Sequence, residues 1–111
     1  MIDWDRIAEL RTDVLGDDFG EVFALFLEEV EEVLFRLRDR PDINRFEEDF
    51  HFLKSSAVNL GFAEFAKLCG LAETTAANGS AASVDVGIIF ESYDVSLKSF
   101  LTRAEEFGLA A

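Results

Sequence analysis

Cysteine, proline and histidine occur once each in 111 residues. A lone cysteine, Cys69, excludes an internal disulfide, and its place on an apolar stripe reads as a small buried hydrophobe. One histidine and one cysteine, 18 residues apart and on different helix faces, are too few ligands for a zinc centre. Cations are scarce too: 10 Lys and Arg stand against 23 Asp and Glu, a formal net charge of −13. Nucleic acids and anionic membrane surfaces both need clustered cations, so neither is expected as a partner. The same imbalance favours solubility and opposes self-association, so a monomer is expected. No apolar run approaches the roughly 18 residues that span a bilayer. The acidic start, Met1-Ile2-Asp3-Trp4-Asp5, lacks a signal-peptide pattern, and a cytoplasmic chain is expected. Neither a nucleotide-binding motif nor the strand–loop scaffold of a Ser-His-Asp hydrolase is visible, so no autonomous kinase, phosphatase or hydrolase catalysis is expected.

What is abundant is apolar surface with helical spacing. Half the residues are hydrophobic, and 12 of them are phenylalanine. That is enough to fill one core, so residues 1–111 read as a single domain rather than a disordered chain. Met1 and a complete set of helices lead to the expectation of a stand-alone protein. Apolar residues recur at three and four with little alternation, which is an all-α signal.

The first helix is predicted over Asp3 to Val14, with Trp4, Ile7, Leu10 and Val14 inward and a stop near Gly16. The second runs from Asp18 to Asp39 on Phe19, Phe23, Phe26, Val30, Val33, Leu34 and Leu37. Arg36, Arg38 and Arg40 gather at its C-terminal end, as the helix dipole favours, before Pro41 ends it. Leu25 and Phe35 lie off that stripe and read either as docking surface or as packing beneath the first helix. The third helix spans Ile43 to Leu60 and stops at Gly61. The fourth spans Ala63 to Ala77, ahead of the Asn78-Gly79-Ser80 turn signal, on Phe62, Phe65, Leu68, Cys69, Ala72 and Ala76. Gly70 inside it is a weakness of about 1 kcal/mol relative to alanine. The fifth spans Val84 to Phe107, with Phe90, Tyr93, Leu97, Phe100, Leu101, Ala104 and Phe107 inward. Four long amphipathic helices with short connections pack most simply as an antiparallel four-helix bundle, with the short first helix added at one end or side.

The third helix carries the chemistry. At roughly 100° per residue, Ile43, Phe46, Phe50, Leu53, Ala57 and Leu60 form one apolar stripe, and His51 falls roughly 130° from its centre. The imidazole is therefore expected to face water, with Lys54 and Ser55 as neighbours on its own face. An isolated surface histidine is usually unremarkable. Lys54 alone would be a solvated charge pairing with acids such as Glu47, worth well under about 1 kcal/mol. The spacing around them decides otherwise. His51, Leu53, Lys54, Ser55, Ser56, Ala57, Leu60 and Gly61 fill the slots of His-x-Leu-Lys-(Gly or Ser)-(Ser or Ala)-(Ser or Ala)-x-x-Leu-Gly.

That pattern resembles the histidine-containing phosphotransfer (HPt) domains of multistep phosphorelays, and the resemblance extends to length, acidity and the short leading helix. It implies a phosphoryl carrier: His51 receives a phosphoryl group from the aspartyl phosphate of a response-regulator receiver domain and passes it to another receiver. The implied partners are receiver domains and a hybrid sensor histidine kinase. No cofactor is expected on this chain, since Mg²⁺ belongs to the receiver. Chemistry fits the assignment independently. Neutral imidazole is nucleophilic, a cation at Lys54 can offset phosphoryl charge, and a small Ser55 leaves room above the ring. The family often has Gln or another polar residue 22 positions after the histidine, hydrogen-bonded to it; that slot is Glu73. A docking surface is expected around His51, from Phe52, Val58 and the exposed side of the first helix (Ile7, Ala8, Arg11). The alternative is a non-phosphorylated acidic helical adaptor binding signalling proteins through the same surface.

Overall fold

The computed structural model describes residues 2–14 and 18–103. Five α-helices build it: α1 (Trp4–Glu9), α2 (Phe19–Asp39), α3 (Phe46–Leu60), α4 (Ala63–Ala77) and α5 (Val86–Thr102). Among the described residues the only extended pairing is an isolated bridge between Ile2 and Phe62. The fold is all-α, as expected.

Side-chain pairs fix how the helices run. His51 meets Glu73 while Lys54 lies against Gly70, so α3 and α4 are antiparallel. Glu31 meets Tyr93 and Phe23 meets Phe100, so α2 and α5 are antiparallel too. With α3 also packed on α2 and α5 on α4, the four long helices close into a bundle. Its interior is aromatic. Phe23 and Phe100 stack at 4.5 Å, Phe62 adjoins both at 6.2–6.4 Å, and Tyr93 links Phe62 at 6.2 Å to Phe65 at 5.4 Å. Offset and edge-on ring pairs add specificity to the area they bury. Tyr93 donates its hydroxyl to Glu31 at 2.6 Å, so its polar end is satisfied. Cys69 is fully buried among these residues, and burial pushes its thiol up to about 12, which leaves it unreactive.

The corner between α3 and α4 is built on Gly61. Its φ of 75° is left-handed, and Phe62 N–H closes back to the Ala57 carbonyl at 2.9 Å in a Schellman-type ending. A Cβ there would also lie 2.8 Å from the Asp3 carbonyl oxygen and 3.0 Å from Ile7. The N-terminal segment sits directly on this corner, its Asp3 N–H donating to the Gly61 carbonyl at 2.6 Å. Arg6 of α1 reaches Asn59 of α3 at 3.2 Å.

Several boundaries and faces depart from the sequence reading. The first helix leaves α geometry after Glu9 and continues as a π-helical turn, Leu10–Val14. There Thr12 donates its hydroxyl to the Ala8 carbonyl at 2.8 Å, competing for an acceptor of the regular ladder. The stop at Gly16, the Val14 side chain, and Ala104 and Phe107 fall outside the described residues. Ile43–Arg45 is a 3₁₀ turn rather than the start of α3, and its tighter winding rotates Ile43 off the stripe, leaving it 51% exposed. Likewise Ala81–Ser83 is 3₁₀, and α5 begins at Val86, where Asp85 caps Ile88 N–H. The buried row of α5 is Ile89, Tyr93, Ser96 and Phe100. Phe90 and Leu97 sit half-buried beside it and Leu101 is 56% exposed, because a serine takes an inward position that hydropathy assigns to its neighbours. Leu25 and Phe35 are exposed on α2.

One buried charge pair has no signature in the sequence pattern. Asp49 of α3, 3% exposed, accepts two hydrogen bonds from Arg36 of α2, both at 2.9 Å. The pairing holds the guanidinium charged more firmly than usual. Its fork geometry fixes the axial register of α2 against α3, two residues from His51. Replacing Asp49 by alanine is expected to lower stability by about 2 kcal/mol, less than for a fully buried pair because Arg36 retains some solvent. Urea unfolding of the Asp49→Ala variant checks this; an unchanged midpoint would show that the pair contributes nothing.

Candidate functional site

α3 presents His51 from the side away from its apolar stripe, at the middle of the helix. Phe50, Leu53 and Ala57 anchor the helix at 0% exposure while the His51 side chain remains 63% exposed. The expected surface placement of the ring holds. Across the α3–α4 seam, His51 Nδ1 lies 2.8 Å from Glu73 Oε2. Lys54 Nζ lies 2.7 Å from the other oxygen, Oε1. A single carboxylate therefore bridges imidazole and ammonium, and it does so from a side chain only 20% exposed. Lys54 is paired with Glu73 rather than with Glu47, because its stem runs across the seam instead of along its own helix.

Gly70 explains that route. A Cβ at this position would lie 3.2 Å from Lys54 Cδ. The missing side chain lets the lysine stem cross α4 and reach the residue one turn further on. The sequence shows the glycine only as a gap in helix propensity; what occupies the gap depends on the antiparallel pairing, which no local pattern states.

Electrostatics follow from the bridge. The hydrogen bond from Lys54 is the leading cause that holds the Glu73 carboxyl below its ordinary value of 4.5, and the His51 contact acts the same way against the opposing effect of desolvation. Glu73 is thus an anion at neutral pH. An anionic carboxylate only accepts, so a neutral imidazole against it must carry its proton on Nδ1. The lone pair is then on Nε2, the ring nitrogen that Glu73 does not engage.

The remaining expected residues divide. Ser55 is exposed one turn beyond His51, whereas Ser56 is buried at 8%. Val58 is 57% exposed on the His51 side of α3, and Phe52 is 36% exposed on the adjoining flank. Ala8 and Arg11 are exposed on the first helical segment. Ile7 is not available for docking: it is 0% exposed, because it packs into the space left by the absent Cβ of Gly61.

The family model of the Hpt domain matches residues 21–106, more than three-quarters of the chain, and the chain belongs to that family. Neither a curated protein nor a solved structure gives a significant match. Hpt domains are phosphocarrier modules that work by histidine phosphotransfer in phosphorelays and interact with receiver domains. No helix among the described residues is long and apolar enough to cross a membrane.

A carboxyl that ionises more readily in the folded than in the unfolded chain stabilises the fold above its unfolded value. That contribution is lost as pH falls through the lower folded value. The stability advantage of the native chain over a Glu73→Gln variant should therefore persist from neutral pH to the ordinary carboxylate range and shrink below it. Urea unfolding at stepped pH checks the sign; a gap that stays constant into strong acid would contradict the assigned bridge.

Proposed function

We propose that His51 is the phosphorylated residue and that Nε2 is its attacking atom. The phosphoryl group comes from an aspartyl phosphate on a receiver domain and leaves to the aspartate of a second receiver. In the first transfer the P–O bond to the receiver carboxylate breaks and a P–Nε2 bond forms. The receiver keeps its carboxylate, while the Nδ1 proton stays in the hydrogen bond to Glu73. What carries the reading is the exposed imidazole held through Nδ1 on the helix with the family motif, which leaves the other nitrogen free for a partner protein. Reaching a bound phosphoryl group in line requires that exposure.

Lys54 is 2.7 Å from Glu73 and one turn from His51, where its charge can oppose that of the transferring oxygens. Ser55 supplies steric clearance. Phe52, Val58, Ala8 and Arg11 are the candidate docking residues, a small patch suited to transient association. Mg²⁺ and further acid–base groups would be supplied by the receiver, whose cytoplasmic location this chain would share as a monomer. Autonomous kinase or phosphatase catalysis is not part of this role, and a hybrid sensor kinase is one partner able to supply the phosphorylated receiver.

Mixing the chain with a phosphorylated cognate receiver is expected to give a base-stable, acid-labile phosphate. His51→Ala should abolish it while changing stability by less than about 1 kcal/mol, as for an exposed side chain. An unlabelled native chain would favour the acidic adaptor instead. A Ser55→Leu variant should fold normally yet accept phosphate far more slowly; undiminished transfer would remove clearance at position 55 as a requirement.

A further inference from the structure

When the phosphoryl group leaves His51, the Nε2–P bond breaks and its electron pair returns to Nε2. The phosphorus is taken by a carboxylate oxygen of an acceptor aspartate, or by a water oxygen that gives up its proton to solvent. If Nδ1 carries a proton at that moment, the departing group is neutral imidazole. If it does not, the departing group is imidazolate, a much poorer one. Phosphorylated imidazole with a protonated Nδ1 has a cationic ring. The observed geometry places an anion 2.8 Å from that nitrogen.

We propose that Glu73 keeps the Nδ1 proton on phosphorylated His51, so that the carrier stays in its transfer-ready form across neutral pH. The proposal rests on the phosphocarrier reading and assigns Glu73 a positioning and charge-stabilising role within it. A neutral amide could accept the same hydrogen bond but would lack the charge. The carboxylate is an anion at neutral pH, and Lys54, bound to its other oxygen at 2.7 Å along the path that Gly70 leaves open, favours that charged form further. The cation thus favours the charged form of the group that stabilises the ring.

The surrounding charges leave Glu73 in command of the ring. On α3 itself, Glu47 and Glu48 lie about one turn before His51, Glu48 facing Arg45, and Lys54 nearly one turn after, the last engaged by Glu73. On α4 the next charged residue toward the N-terminus is Lys67, about 9 Å along the axis from Glu73 at the α-helical rise. The α1 cation Arg6 is bonded to Asn59, about 12 Å along α3 from the ring by the same measure. On α2, Arg36 is occupied by Asp49.

The test is the pH profile of phosphate loss. Phosphoramidate serves as donor: its P–N bond breaks, ammonia leaves, and the single histidine is labelled without a cognate receiver. First-order loss to water is then followed across pH for the native chain and for Glu73→Gln, with circular dichroism checking the fold of each. Loss should be fast at low pH and fall as the ring gives up its proton. The fall should come at a pH lower by about one unit or more in the variant, as expected for deleting an opposite charge at hydrogen-bond distance. If the variant does not fold, the native phosphorylated chain in urea is the reference, and its fall should likewise come at lower pH than in the folded chain. Coincident profiles overturn the proposal while leaving the carrier role intact. Failure of His51 to accept phosphate from either phosphoramidate or a phosphorylated receiver would instead remove the carrier role on which it rests.

Discussion

The carboxylate of Glu73 bridges α3 and α4 and, in the same contact, organises the chemistry of the surface between them. One oxygen takes the imidazole at 2.8 Å and the other takes Lys54 at 2.7 Å. Removing either partner would leave the other contact less defined: without Lys54 the carboxylate loses the leading cause that holds it below its ordinary value, and without Glu73 the ring is free to choose its tautomer. Both contacts need α3 and α4 antiparallel at one register. The reactive group is therefore exposed, while what orients it is the packing of a whole hairpin.

That register has two physical sources. Gly61 lets α3 end in a left-handed residue and turn at once into α4, with the N-terminal segment pressed where a side chain would otherwise stand. On the opposite flank of α3, Asp49 and Arg36 join it to α2 through a two-bond fork that tolerates little sliding. Between these flanks, Phe50, Leu53, Ala57 and Leu60 are sealed completely. Apolar burial supplies most of the favourable energy of such a helix, and directional polar contacts select one arrangement among several that would bury similar area. His51 can thus be solvent-exposed and still well positioned.

Much of this was legible from residue order. The 3.6-residue recurrence gave the helices, and the phase of His51 relative to Phe50, Leu53 and Ala57 gave its exposure. Gly61 announced the end of α3. The +22 position of Glu73 followed from family resemblance, and the hydrogen bond lies where that resemblance put it. The misses share a cause: each depends on a partner distant in sequence. Asp49 looks like one acid among many until Arg36 is opposite it. Gly70 reads as a propensity defect until Lys54 crosses it. Ile7 reads from the sequence both as core and as docking surface, and only its close packing on Gly61 decides for core. On α5, buried Ser96 shifts the inward row, because hydropathy ranks Leu97 and Leu101 above a serine that packing prefers. The 3₁₀ turn before α3 rests on a cap by Asp42, and the one before α5 on Ser83 donating its hydroxyl and its N–H to the Ser80 carbonyl, both below what periodicity resolves.

The chemistry of the site turns on which ring nitrogen is engaged and which is free. Nitrogen-15 spectra of the phosphorylated chain answer this without ambiguity of assignment, since it contains one histidine. A phosphorus coupling on Nε2, with a proton retained on Nδ1, is the result the Glu73 bridge predicts. Phosphorus attached to Nδ1 would mean that Glu73 is displaced from the ring during transfer, and the arrangement described for the site would not be the one that reacts.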